Sequence, residues 1–265
     1  MSLTVFWQLI SWYILNILSK LRGAGKWQTS FFVTNMEPHY VGMRDALNTM
    51  ENKEISDAVE VIQINDSEQW NGYWQQKLQG ANFFFCTWMG TGLSCDYLKK
   101  ASAFLQQKKL RHLFDIIDPG DDKMDYGLQE EQKSLLKQYL ACGGLKNYQN
   151  LCLYLVAAFT QQMISYKLPE QLPWCGIYHP EFKHEFVELD AYLAKHYDSS
   201  KPTVGFIFSR EDWLWQRLAY QNEIIRSVET QNCNVIAVFS TTMPNEQTGA
   251  VSLDTAFERF FLSRW

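Results

Sequence analysis

The chain has 265 residues, of which 46% are apolar and 20% charged, and carries a net charge of −5 at pH 7. That length holds one large domain or two smaller ones, each with an ordinary globular core. Without a basic tract or an RNA-binding aromatic signature, the mild acidity excludes nucleic acid as the expected partner.

Aromatic residues are abundant, with 10 Trp, 13 Tyr and 17 Phe, which suits either large packed cores or a surface for a flat ligand. Cys86, Cys95, Cys142, Cys152, Cys175 and Cys233 are scattered, with no CxxC and no zinc spacing. Such cysteines read as reduced thiols in a cytoplasmic protein.

The chain opens on the apolar run MSLTVFWQLISWYILNILSK. No cation precedes it, no cleavage site follows, and Gln8, Ser11 and Asn16 interrupt it, so it is no ordinary secretory signal. A buried or oligomer-facing helix, a membrane-touching helix through residues 1–20 and a non-native start all remain open, with membrane association the minority reading.

Strands are then expected at 30–35, 58–65, 81–90 and 110–117, and helices at 38–51, 67–80 and 95–109. The helix 67–80 places Trp70 and Trp74 on one face, with Ser67 as its N-cap. Alternation of this kind implies a parallel sheet covered by helices, with ligands beyond the carboxyl ends of the strands. Those ends are Thr34–Asn35, Asn65–Asp66, Met89–Gly90–Thr91–Gly92 and Asp118.

Residues 128–144 and 145–164 have helical spacing, and the double glycine of ACGG suits a helix stop. LPWCGIYHPEF (172–182) breaks all periodicity and is expected to be a junction. A helix at 184–197, a strand at 203–209, a long helix at 210–231, a strand at 234–240 and a helix from 253 follow. The series stops where a third strand is due, so the second unit is expected to be truncated. The organisation expected is an apolar segment (1–25), an α/β head (26–127) and a helical segment (128–170). A junction with a helix (171–201) and the start of a second, Rossmann-like α/β domain (202–265) complete it.

MGTGL (89–93) lacks the Gly-Lys-Ser/Thr of a phosphate loop and is not GxGxxG; it reads as a glycine turn that, if it binds, favours an anion. His179 and His184 are five apart and followed by Glu185, which excludes HExxH. His179 is then either a structural histidine in a proline turn or a metal contact with Cys175 near. Asp118, Asp121, Asp122 and Asp125 miss the EF-hand pattern and read as a solvated turn. Arg210, Glu211, Asp212 and Trp213 stand where strand 203–209 meets its helix, either at a ligand edge or as acids on a helix dipole.

GIYHP (176–180), VGFIF (204–208), Arg210, Trp213, Tyr220, Ile224 and NVIAVF (234–239) together resemble the large subunit of cobaltochelatase. This is the CobN family, which includes the porphyrin-binding subunit of magnesium chelatase. Trp88–Met89–Gly90 resembles its strand-end turn, and Tyr139–Leu140–Ala141–Cys142–Gly143–Gly144 with Asn147 its helix junction. The resemblance covers about residues 58–262.

It implies a subunit that binds a tetrapyrrole and inserts a metal, in cobalamin biosynthesis. The substrate metal would be cobalt, with magnesium the alternative, and AAA-type partner subunits would hydrolyse the ATP. Insertion needs an open metal site, a base for the pyrrole protons and a cavity that desolvates the ring. Trp88, Met89, Gly90, Arg210 and Trp213 are the substrate-binding candidates, and His179 the metal candidate. Catalytic residues are unassigned and expected in the rest of the large subunit, leaving this N-terminal part inactive alone. The competing reading is a non-catalytic α/β module that binds or docks a tetrapyrrole.

Overall fold

The computed structural model describes residues 29–65, 67–90, 96–117, 124–160, 162–182, 188–242, 244 and 249–262. The apolar run at 1–20, Thr91–Gly92, Asp118, Asp121, Asp122, His184 and Glu185 therefore lie outside the described residues.

The first unit is a parallel sheet. Its strands are β1 (Ser30–Thr34), β2 (Val59–Gln63), β3 (Phe83–Met89) and β4 (Arg111–Ile117), in the order β2-β1-β3-β4. Residues of β3 alternate between two cores. Phe83 and Phe85 face one with Phe32 and Leu113, whereas Phe84, Cys86 and Trp88 face the other with Phe31, Val33 and Phe114. FFFCTW is apolar except for the buried Thr87, as befits a strand buried on both faces.

Helices α1 (Glu37–Thr49), α5 (Glu130–Cys142) and α6 (Leu145–Phe159) cover the first face, through Met43, Ala46, Tyr139 and Leu151. A short helix α2 (Lys53–Asp57) adds Ile55. Helices α3 (Gly72–Lys77) and α4 (Asp96–Gln107) cover the second, through Trp74, Tyr97, Leu98 and Leu105. The chain thus leaves β1 on one face and reaches β3 on the other, which makes the β1/β3 boundary the topological switch point of the sheet.

The second unit holds β5 (Cys175–Tyr178), β6 (Thr203–Ser209) and β7 (Asn234–Ser240), ordered β5-β7-β6. Helices α7 (Leu189–His196) and α10 (Leu253–Phe257) lie on one face, and α8 (Arg210–Leu214) and α9 (Ala219–Thr230) on the other. The mixed α/β architecture, with parallel strands and helices, is the one expected from sequence.

Several local expectations are corrected. The stretch 172–182 supplies a strand, β5, antiparallel to β7, so the second sheet is mixed and has three described strands. A four-residue strand is too short for periodicity to mark it. The helix 210–231 is broken, because Gln216 takes φ 54° and the chain turns at 215–218. Asn71, not Ser67, caps α3, its side chain accepting from the Tyr73 N–H. Trp70 and Trp74 nonetheless stack, with ring centroids 6.1 Å apart and planes 12° from parallel. The final helix runs only from Leu253 to Phe257 before a π-turn over Glu258–Leu262.

Among the described residues, no helix is long and apolar enough to cross a membrane.

Candidate functional site

The carboxyl edge of the first sheet is built around Asn35, which follows β1. Its amide donates to the Met89 carbonyl (2.8 Å) and accepts from the Met89 N–H (2.9 Å), so the side chain closes the β1/β3 switch point as a strand would. Thr34 accepts from the Met36 N–H at 2.9 Å and Thr87 reaches the Met36 sulfur, which turns the chain away from the sheet. Beyond Asn35 lies a polar cleft of about 750 Å³, lined by Asn35, Gln63, Ile64, Asn65 and Ser67.

Of the sequence candidates here, Trp88 is buried in the second core, Met89 is 55% exposed and Gly90 has φ +117°. Among the described residues, a Cβ at Gly90 would meet only Trp88 Nε1, at 3.8 Å. Among the described residues, Met89 and Gly90 therefore form an apolar ledge over the sheet edge, with Trp88 as its support.

Arg210 and Trp213 are not on that ledge. Arg210 is only 2% exposed. Its guanidinium donates to three carbonyls, Pro173 (2.8 Å), Cys142 (3.2 Å) and Leu172 (3.2 Å), and lies 4.0 Å from the centroid of the Trp174 ring. Burial pulls its pKa down to about 10, which still leaves it charged at neutral pH. Trp213 stacks on Phe239 at 4.2 Å, inside the core of the second unit. The acids beside them behave as first-turn groups: Ser209 caps α8 by accepting from the Glu211 N–H, and Asp212 accepts from Gln221 at 2.9 Å.

His179 is 3% exposed and both ring nitrogens are engaged. Nδ1 accepts from the Glu181 N–H (3.3 Å), and Nε2 donates to Glu229 Oε1 (3.1 Å). The ring stacks on His196, with centroids 5.2 Å apart. Cys175 and His179 are separated by about 13 Å of extended chain, so the two do not form a ligand pair. Among the described residues, no group of three or more His, Cys, Asp or Glu side chains could hold a metal ion.

The helix junction over Tyr139–Asn147 proves to be a seat for the connecting segment. The Tyr139 hydroxyl donates to the Lys167 carbonyl. Asn147 donates to the carbonyls of Gly143 (2.7 Å) and Glu170 (2.8 Å) and accepts from the Glu170 N–H (2.8 Å). Gly143 and Gly144 take φ +66° and +83°, and a Cβ on Gly144 would meet Leu172 at 2.9 Å.

Sequence reasoning missed one further group. His39, in the first turn of α1, is half-buried, and its Nδ1 shares a hydrogen bond with the Tyr148 hydroxyl. Tyr148 packs at 4.9 Å on Trp215, which comes from the second unit. The only sequence signal was a histidine just past the carboxyl end of a strand, and nothing pointed to its partner on α6.

Burial pushes the His39 pKa down to about 4, with Glu211 opposing in part. The imidazole is thus neutral in the fold and protonates more readily when unfolded, where its pKa is about 6.5. The unfolded chain binds more protons between those values, so stability falls as the pH drops from about 6.5 to 4. His112, also lowered by burial, acts in the same direction. Unfolding free energies from urea denaturation at pH 7 and pH 4.5 should differ by on the order of 2 kcal/mol. In His39→Gln the difference should shrink, and an unchanged slope would remove His39 from the account.

Residues 137–263 match the CobN/Magnesium Chelatase family model. The chain is 34% identical over 148 residues to an uncharacterized protein of Methanocaldococcus jannaschii, covering 53% of this chain and 12% of that protein. Its fold resembles the catalytic subunit of cobaltochelatase from Mycobacterium tuberculosis, with a TM-score of 0.52 and 12% sequence identity, over 84% of this chain and 18% of that one. The chain therefore spans about an eighth of the curated relative and under a fifth of the solved structure.

Proposed function

Since residues 137–263 match the CobN/Magnesium Chelatase family model, we propose that the chain is the tetrapyrrole-binding N-terminal part of a cobaltochelatase-type large subunit. The family match is the observation that carries this reading. The substrate would be a corrin precursor in cobalamin biosynthesis, with cobalt as the metal inserted and magnesium the alternative. AAA-type partner subunits would supply ATP hydrolysis, and the rest of the large subunit the metal-handling and proton-accepting groups, so that this part is inactive alone. The reading places the chain in the cytoplasm, in keeping with Cys142, Cys152, Cys175 and Cys233 standing as free thiols.

The ledge of Met89 and Gly90 supports the choice of ligand. A flat macrocycle needs an apolar surface without projecting side chains. Gly90 projects no side chain there and Met89 offers an adaptable thioether. Polar groups of the adjoining cleft, Asn35, Gln63, Asn65 and Ser67, suit hydrogen bonds to the carboxylate or amide arms of such a ring.

Titration of a corrinoid and of a porphyrin into the purified chain tests this. The expected result is a saturable shift of the ligand's visible absorption with quenching of tryptophan fluorescence, weakened about tenfold or more in Met89→Glu. An unchanged absorption band and unquenched tryptophans would overturn it. Ring binding without metal insertion, even with partner ATPases and the rest of a large subunit present, would instead identify a docking module.

A further inference from the structure

We propose that β6 is a docking edge for one more apolar strand, lying parallel to it and contributed by the remainder of a large subunit. The identity of that occupant rests on the family reading; the need for a strand does not.

Edge strands expose a row of backbone N–H and C=O groups, and proteins protect them with charges, prolines, bulges or cover. The other described edges follow this rule. Strand β2 carries Glu60, paired with Lys77 at 2.5 Å, and ends on Gln63. Strand β4 carries Arg111 and Asp115, the latter paired with Lys137 at 3.2 Å, and its edge is bridged by Tyr126. Strand β5 is buried along its length.

Strand β6 does none of this. TVGFIFS contains no charge and no proline and pairs with β7 without a bulge over seven residues. A near-continuous apolar run is the signature of an interior strand in a parallel sheet, yet among the described strands β6 stands at the edge. Its first three residues are exposed, and Val204 is 40% accessible.

Beside it runs an apolar groove of about 560 Å³, lined by Val204, Tyr220, Ile224, Val228 and Cys233 among others. Tyr220 on α9 is 74% exposed. On the opposite face, Phe257 and Leu262 are 46% and 58% exposed beside Phe261, whose ring covers Gly205. Among the described residues, apolar surface thus flanks the unpaired edge of β6 on both sides of the sheet. A single helix could cover one groove but would leave the edge groups of β6 unpaired, whereas a strand satisfies them and extends both faces. A parallel strand arrives with a crossover helix, which is the element the Tyr220–Ile224 groove lacks. The relatives supply the source, since this chain spans only 12% and 18% of their lengths.

The test mixes this chain with the portion of the Methanocaldococcus jannaschii relative outside the 148 matched residues. Amide exchange over residues 203–209 and light scattering are then recorded. The expected result is a one-to-one complex in which exchange over β6 slows about tenfold or more. Val204→Lys combined with Tyr220→Glu should keep the circular dichroism of the parent and form no complex. Unslowed exchange in the mixture would overturn the proposal. So would a dimer of this chain that buries β6 and persists in the mixture. No tetrapyrrole is present, so failure of ring binding leaves this result untouched.

Discussion

Replacing Arg210 with methionine is expected to destabilise the chain by about 3–4 kcal/mol, although the substitution touches neither the ledge nor the cleft. Methionine fills much of the space but cannot donate. The carbonyls of Cys142, Leu172 and Pro173 would lose their shared donor in a site where Arg210 is 2% exposed. Leaving a buried acceptor unsatisfied costs about 1–3 kcal/mol, and partial rehydration keeps the total below the sum of three. The stacking of the guanidinium on Trp174 would also go. Arg210→Lys should recover only part of the loss, because an ammonium cannot present the planar fork that reaches three carbonyls. Urea denaturation followed by tryptophan fluorescence measures the cost. A loss under about 1 kcal/mol would show that these hydrogen bonds are replaced by water.

The three carbonyls belong to the end of α5 and to the segment leading into β5, while Arg210 begins α8. The residue therefore ties the helical layer of the first unit to the second. In Arg210→Met, amide exchange should accelerate first in residues 167–174, the stretch held otherwise by Tyr139 and Asn147.

Gly42→Ala is the second substitution with a large expected effect, and its sign is unusual. In an exposed helix the change would gain about 1 kcal/mol. Here a Cβ would lie 2.2 and 2.5 Å from ring atoms of Trp215 and 2.7 Å from the ring of Tyr148. Both rings are held, Tyr148 by burial and by His39, Trp215 by its packing on Tyr148. Relief requires that Trp215 move, which separates α1 from the second unit. The expected loss is about 2–3 kcal/mol in urea denaturation. Trp215→Leu made together with Gly42→Ala should recover most of the steric part, because the smaller side chain vacates the contested volume. Additive losses in that double variant would disprove the clash as the cause.

Both substitutions lie on one joint, and this joint was hidden in the sequence. Arg210 and Trp213 were legible as residues at a strand end, and strand ends are where α/β sheets bind ligands. What decided their roles was the neighbouring chain: carbonyls brought from 68 and 38 residues away turned Arg210 inward, and Phe239 received Trp213. Asn147 was legible as part of a recurring phrase, but only the fold shows that it clamps Glu170. Met89 and Gly90 kept their expected place at the sheet edge because the strand that ends at Met89 is a largely apolar run closed by a glycine.

Alternating strands and helices, buried on both sides, dictated a parallel α/β architecture, since period and apolarity are properties of local sequence. The order and spacing of LPWCGIYHPEF, VGFIF and NVIAVF resemble the CobN/magnesium chelatase family, a likeness that periodicity did not supply. Only the tertiary structure made CGIY a strand, because β7 was available to pair with it. The fold also made His179 a donor to Glu229, and joined His39 to Tyr148 across 109 residues. Contacts between distant segments depend on which surfaces meet after packing, and no periodicity within a segment encodes that meeting.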